Sequence, residues 1–221
     1  MKISKAYLIL YNVSLVIGWG LIFLKAVIHI SEKNSFSGLY EEVEFWLKVS
    51  QTAALLELVH SMAGLVRSSI FTALPQVASR LFIVWLILDP LLMKDEVAKN
   101  SIGFPMLLFA WSITEIIRYS FYACSLLDTV SYSLQWCRYS FFLILYPMGV
   151  SGELISVYHS LPSAKKSQFF SLQLPNQLNF SFDFVWFCYS LYLIYIPGFY
   201  HLFTYMLGQR KKVLGSKGKK E

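Results

Sequence analysis

Tyr7-Leu8-Ile9-Leu10-Tyr11-Asn12-Val13-Ser14-Leu15-Val16-Ile17-Gly18-Trp19-Gly20-Leu21-Ile22-Phe23-Leu24-Lys25-Ala26-Val27-Ile28 carries one charge, Lys25, in a run longer than the roughly 20 residues that carry a helix across a bilayer. No small-residue cleavage site follows it, so it reads as a retained span and not as a signal peptide, with the start of the chain as mature sequence. Five further apolar runs follow: Val49–Val66, Leu74–Leu92, Ile102–Leu126, Trp136–His159 and Phe184–Leu207. The connections between them are polar or turn-like, notably Ser31–Lys48 with Glu41, Glu42 and Glu44, Lys94–Asn100, and Ser160–Ser181 with Pro162 and Pro175. Composition agrees, because 56% of the 221 residues are apolar and 14% charged, against about 25% charged in a soluble domain. Too little polar surface remains to coat a water-soluble globule. The expectation is an all-α membrane protein, a bundle of about six transmembrane helices over residues 1–209, followed by a basic cytosolic tail at 210–221.

The net charge of +6 describes mainly that tail and gives no support for nucleic-acid binding. With both termini cytosolic, the inner face holds Lys2, Lys5, Arg67, Arg80, Arg138 and the tail from Arg210, while Lys33, Lys48, Lys94, Lys99, Lys165 and Lys166 face the other side. Lysine and arginine bias in short loops favours that orientation. Lys217-Gly218-Lys219-Lys220-Glu221 matches a Lys-x-Lys-x-x retrieval signal of the endoplasmic reticulum, which is read on a cytosolic C-terminus. Cys124, Cys137 and Cys188 lie in or beside apolar runs without metal-like spacing and read as small buried hydrophobes.

An ionisable side chain deep in a span costs about 2.5–3.5 kcal/mol on insertion scales, so each one asks for a reason. Glu57, Asp89, Glu115, Arg118 and Glu153 are the candidates. Glu115 and Arg118, three apart on one helix, can pair with each other. Arg67, Arg80, Arg118 and Arg138 fall near the cytosolic ends of their spans, where they offer bidentate binding to phosphates or simply obey the positive-inside rule. In Tyr146-Pro147-Met148-Gly149-Val150-Ser151-Gly152-Glu153 the phenol and the carboxyl are close to two helical turns apart, on one side and about 10 Å along the axis. No basic residue lies within reach along the helix to neutralise Glu153. Pro147, Gly149 and Gly152 loosen the helix and admit a close neighbour.

His60-Ser61-Met62-Ala63-Gly64-Leu65-Val66-Arg67 has the spacing of the Cys-x5-Arg loop of protein tyrosine phosphatases. That chemistry needs a low-pKa thiolate, and Ser61 stands in its place at the end of an apolar helical run. Phosphatase catalysis is therefore not expected.

Tyr7-Leu8-Ile9-Leu10-Tyr11-Asn12, Leu74-Pro75-Gln76-Val77-Ala78-Ser79-Arg80, Trp111-Ser112-Ile113-Thr114-Glu115-Ile116-Ile117-Arg118-Tyr119, Leu178-Asn179-Phe180-Ser181-Phe182-Asp183 and Met206-Leu207-Gly208-Gln209-Arg210-Lys211 together resemble the membrane-bound very-long-chain (3R)-3-hydroxyacyl-CoA dehydratases. These form the protein tyrosine phosphatase-like group, and the chain looks most like the plant PASTICCINO-type members. The resemblance implies dehydration of a (3R)-3-hydroxyacyl-CoA to the trans-2-enoyl-CoA, the third step of very-long-chain fatty acid elongation at the endoplasmic reticulum, with the other elongation enzymes as partners and with no cofactor. It implies Tyr146 and Glu153 as the catalytic pair. Glu57, Gln76, Arg80, Arg138 and Gly149 match family positions important for activity, and Glu115 and Arg118 join them as supporting or substrate-binding candidates. In the best-known animal member the phosphatase-like arginine is a proline; this chain keeps Arg67 but has Ser61, so that look-alike stays incomplete. Dehydration needs a base at C2 and an acid at the C3 hydroxyl, which a carboxylate and a phenol can supply. Glu153 is read as base and Tyr146 as proton donor, with the reverse assignment open. A phosphatase-like scaffold without activity and a transporter are the alternatives; the lack of inverted-repeat symmetry speaks against transport.

Overall fold

The computed structural model describes residues 3–66, 70–95 and 98–215. Its helices are α1 (Ile3–Lys33), α2 (Leu39–Ala53), α3 (Leu55–Met62), α4 (Ile70–Phe82), α5 (Gly103–Leu126), α6 (Tyr132–Ser140), α7 (Phe142–Ser167) and α8 (Phe184–Gly215). A π-helical stretch, Ile83–Leu92, continues α4, and a single 3₁₀ turn at Ala98–Asn100 precedes α5. Among the described residues the only β-type pairing is one isolated bridge, Leu172 to Phe182. The chain is all-α, as its sequence predicts.

The buried faces follow helical spacing. Leu8, Leu15, Trp19, Ile22 and Ala26 line the inner side of α1, while Leu39, Tyr40, Val43 and Leu47 line that of α2. Those four overturn one expectation, because α2 begins at Leu39 and Ser31–Lys48 is not simply a connecting loop. Glu41, Glu42 and Glu44 sit on the solvent side of an amphipathic helix, and their polarity hides it from a reading by hydropathy alone. Lys48, expected in a loop, lies within α2 and pairs with Glu44 at 2.6 Å and with Asp89 at 2.9 Å.

Contacts between helices fix their directions. Lys5 lies 3.7 Å from Asp128, the Tyr11 and Tyr119 rings are 6.2 Å apart and the Phe23 and Phe109 rings 5.8 Å, so α1 and α5 are antiparallel. Tyr11 donates to the Ala53 carbonyl at 3.0 Å while Lys25 lies 3.9 Å from Glu42, which reverses α2 against α1, and Trp85 donates to Thr52 at 3.2 Å while Asp89 pairs with Lys48, which reverses the π-helical stretch against α2. Phe142 meets Phe203, Tyr146 meets Phe199 and Glu153 meets Tyr195, which runs α8 back along α7. Both described ends of the chain therefore lie at one end of the bundle, where Arg210 also approaches Ser140 at 3.4 Å. The helix α8 runs without a break past Gln209 through the first residues of the expected tail.

By length and composition two helical stretches among the described residues, Ile3–Lys33 and Ala73–Leu92, are long and apolar enough to cross a membrane, or three if α6 and α7, bent by 42°, form one span. The remaining expected spans fall short for local reasons: Val49–Val66 is divided at Ala54 between the end of α2 and the eight-residue α3, α5 carries Glu115 and Arg118, and α8 is rich in tyrosine.

Close approach of α5 and α7 rests on glycine. A Cβ added at Gly152 would stand 2.6 Å from the Leu107 nitrogen and 2.8 Å from the Gly103 carbonyl oxygen, both backbone atoms that cannot swing away. Gly149 opposes Ala110 and Trp111 one turn earlier, with room for a Cβ at 3.4 Å from Ala110. Gly152→Ala should therefore destabilise the bundle by about 1–3 kcal/mol, the usual cost of overpacking, whereas Gly20→Ala, with nothing within 4 Å, should be neutral. Thermal melting of the two variants in detergent checks this, and equal midpoints would contradict the tight α5–α7 seam.

Candidate active site

Four ionisable side chains converge where α3, α4 and α5 meet. Glu115 and Arg118, one turn apart on α5, face the same way, and Arg118 reaches Glu115 at 2.6 Å. The same guanidinium forks onto both oxygens of Glu57 from α3, each at 2.7 Å. Arg80, in the last turn of α4, donates to the other Glu115 oxygen, and the Tyr119 hydroxyl donates to Glu57. Two arginines against two carboxylates leave no net charge, and that balance permits Glu115 to be only 1% exposed. Arg118 also lies 4.5 Å over the Tyr119 ring.

Arg80 connects this quartet to a second cluster. Its guanidinium stands 5.3 Å over the Trp111 indole, and Trp111 Nε1 donates to Glu153 Oε1 at 3.0 Å. From α8 the Tyr195 hydroxyl donates to Glu153 Oε2 at 2.8 Å. Each carboxylate oxygen is thus held by one neutral donor, and Glu153 is 7% exposed. Tyr146, on the same face of α7, stacks almost parallel on Phe199 at 5.0 Å, with Phe203 beside both rings and 6.4 Å from Tyr146. Pro147 cannot donate a backbone hydrogen bond to Leu143, so α7 is loosened at the turn between Tyr146 and Glu153.

The structure brings Glu57, Arg80, Glu115 and Arg118 into one network, and Tyr146, Gly149 and Glu153 onto one face of α7. Arg138 donates to the Tyr122 hydroxyl at 3.2 Å and lies 5.3 Å over that ring. Gln76 is exposed on α4, where its carbonyl receives the Ser79 hydroxyl at 3.1 Å. Asp89 pairs with Lys48 and takes the Tyr40 hydroxyl at 3.3 Å. Ser61 lies in the last turn of α3, so the look-alike motif begins in a helix; Arg67 falls outside the described residues. Cys124 and Cys137 are half-buried and Cys188 is buried. Sequence reasoning missed Trp111 and Tyr195. Tyr195 had a signal in the run Tyr189, Tyr192, Tyr195, spaced three apart along α8, whereas Trp111 stood inside an apolar run where indole rings are ordinary.

The family model described as protein tyrosine phosphatase-like protein, PTPLA, matches residues 51–216. A very-long-chain (3R)-3-hydroxyacyl-CoA dehydratase of Caenorhabditis elegans, hpo-8, is 47% identical over 98% of this chain and 98% of its own length. The human very-long-chain (3R)-3-hydroxyacyl-CoA dehydratase 2 is 42% identical over 96% of this chain and 82% of its own. PASTICCINO 2 of Arabidopsis thaliana, a dehydratase of the same description, is 42% identical over 99% and 97%. No solved structure matches the chain.

Removing one arginine tests the quartet directly. Arg118→Leu leaves Glu57 and Glu115 facing each other without their shared cation and should cost about 3–5 kcal/mol of stability. Adding Glu57→Gln and Glu115→Gln should return part of that loss, read as the melting midpoint of the purified protein. A single variant as stable as wild type would remove the quartet from the account of folding.

Proposed function

The chain belongs to the protein tyrosine phosphatase-like family, and from that premise we propose that it is a hydro-lyase converting very-long-chain (3R)-3-hydroxyacyl-CoA to trans-2-enoyl-CoA. The arrangement that carries the reading is Glu153, buried and held by neutral donors, on the same face of α7 as Tyr146. A carboxylate paired with an arginine is a weak base; one held only by an indole and a phenol keeps its affinity for a proton. Glu153 takes the C2 proton, the electron pair of that C–H bond forms the C2=C3 double bond, and the C3–O bond breaks. Tyr146 protonates the departing hydroxyl, which leaves as water. Proton transfer from Glu153 back to Tyr146 then resets the site. The carboxyl and the phenol start about 10 Å apart along the helix axis, so they meet the two neighbouring carbons through side-chain reach and the loosened turn at Pro147.

Arg80 serves this chemistry from behind, through Trp111 and Glu115, with Glu57 and Arg118 fixing Glu115 in turn. Arg138 is the arginine placed to meet the CoA phosphates, because its guanidinium rests on Tyr122 and Phe121 at the end of the bundle where Arg210 also lies. Gln76 remains a substrate contact proposed from the family resemblance. The protein makes six passes through the endoplasmic reticulum membrane with both termini cytosolic, acts with the other enzymes of fatty acid elongation, and offers its terminal lysines as a retrieval signal. The large apolar side chains exposed around α1 and α8, such as Leu10, Ile17, Leu193 and Ile196, suit contact with lipid.

Tyr146→Phe and Glu153→Gln change almost no volume, so packing should survive while turnover of a 3-hydroxyacyl-CoA by purified protein falls by a factor on the order of 10²–10⁴ in each. The double variant should lose much less than the product of the two. In the same assay Arg138→Ala should raise KM more than it lowers kcat. A well-folded single variant of the α7 pair with near-normal turnover would move the chemistry elsewhere. For the topology, a glycosylation acceptor fused to the C-terminus should stay unmodified in microsomes, and its modification would place that end in the lumen.

A further inference from the structure

Glu153 is held by two helices other than its own. A glutamate side chain has three rotatable bonds, and a base must meet the C2 proton within a few tenths of an ångström of its working distance. Trp111 from α5 fixes one oxygen and Tyr195 from α8 fixes the other, at 3.0 and 2.8 Å. Each oxygen of a carboxylate has two acceptor directions, so each keeps one free for a proton after these bonds form. Four residues further along α8, on the same face as Tyr195, Phe199 carries the Tyr146 ring. Pro197 lies between them, roughly opposite Pro147 in the antiparallel pair, and frees α8 to set both contacts. The neighbouring phenol on α8, Tyr192, makes a different kind of bond, donating to the Leu154 backbone carbonyl at 2.7 Å.

We propose that Tyr195 is a positioning residue for the dehydration, aiming the Glu153 carboxylate at the C2 proton through its hydroxyl. The proposal rests on the reading of Glu153 as the base. Tyr195 does not exchange a proton with substrate; its hydroxyl narrows the carboxylate to one orientation and supplies a hydrogen bond that persists through the reaction. The loss on its removal is therefore smaller than the loss of the base itself, and it falls on kcat and not on substrate binding.

The experiment compares Tyr195→Phe with Tyr192→Phe in the wild-type chain, and Tyr195→Phe again in a Glu153→Asp background. All are assayed as the full-length protein in detergent, at equal folded concentration, with a 3-hydroxyacyl-CoA as substrate. Tyr195→Phe should lower kcat about ten- to a hundredfold, less than the loss of the base itself, with KM within about twofold, while Tyr192→Phe stays at wild-type turnover. The shorter aspartate draws its carboxyl away from Tyr195, so in the Glu153→Asp chain the same change should cost less than about twofold, the mark of a residue that acts through another. Full activity of Tyr195→Phe, or an equal loss in both backgrounds, overturns the proposal. Glu153→Gln measured alongside separates the two levels: near-normal turnover there removes the base itself, whereas its inactivity beside an unaffected Tyr195→Phe removes only the role of Tyr195.

Discussion

A charge buried in an apolar bundle must find a partner inside the protein, and the Arg118 guanidinium is where this chain meets that demand for two of its carboxylates. Its fork takes both oxygens of Glu57, and a further contact takes Glu115, so one side chain on α5 ties down α3 and neutralises its own helix. The second Glu115 oxygen then has only Arg80 to take, which fixes the end of α4 against α5. Isolated, each of these groups would oppose insertion by about 2.5–3.5 kcal/mol; together they hold three helices in one register.

The consequence reaches Glu153. Arg80 is already committed to Glu115 and stands over Trp111, so what it passes on to Glu153 is a fixed indole N–H and not a salt bridge. The protein thus separates two kinds of carboxylate within neighbouring turns of α5 and α7. Glu57 and Glu115 are saturated by cations, while Glu153 is held by neutral donors. Environment, not residue type, separates the two cation-paired acids from Glu153.

Much of this is legible in the amino-acid sequence. The α7 constellation could be read because Tyr146, Gly149 and Glu153 share one helix, where spacing alone gives direction. The Glu115–Arg118 pair was legible for the same reason. Its completion by Glu57 and Arg80 was not, since those partners come from helices whose rotation no single-helix pattern fixes. The view of four arginines as one phosphate-binding rim changes on the same ground: Arg80 and Arg118 are spent on carboxylates within the bundle, and Arg138 keeps its guanidinium on aromatic faces. Hydropathy misled at α2, where three glutamates on the outer face concealed a buried stripe. It located α5 and α8 closely, at Ile102–Leu126 and Phe184–Leu207.

Trp111 and Tyr195 show why the remainder of the site needed the fold. Neither carries a charge, and each sits among residues of its own kind in a run that a membrane helix uses freely. Their role comes from the separation of α7 from α5 on one side and α8 on the other. The first separation is set by Gly152, whose missing side chain lets α7 lie against the α5 backbone and brings Glu153 within 3.0 Å of the indole nitrogen. The second is set by the stack of Tyr146 on Phe199 and Phe203, which holds α8 at the distance where Tyr195 closes on the remaining oxygen. Glycine on one flank and aromatic stacking on the other therefore give a lone buried carboxylate, costly anywhere else in the bundle, a fixed donor on each oxygen.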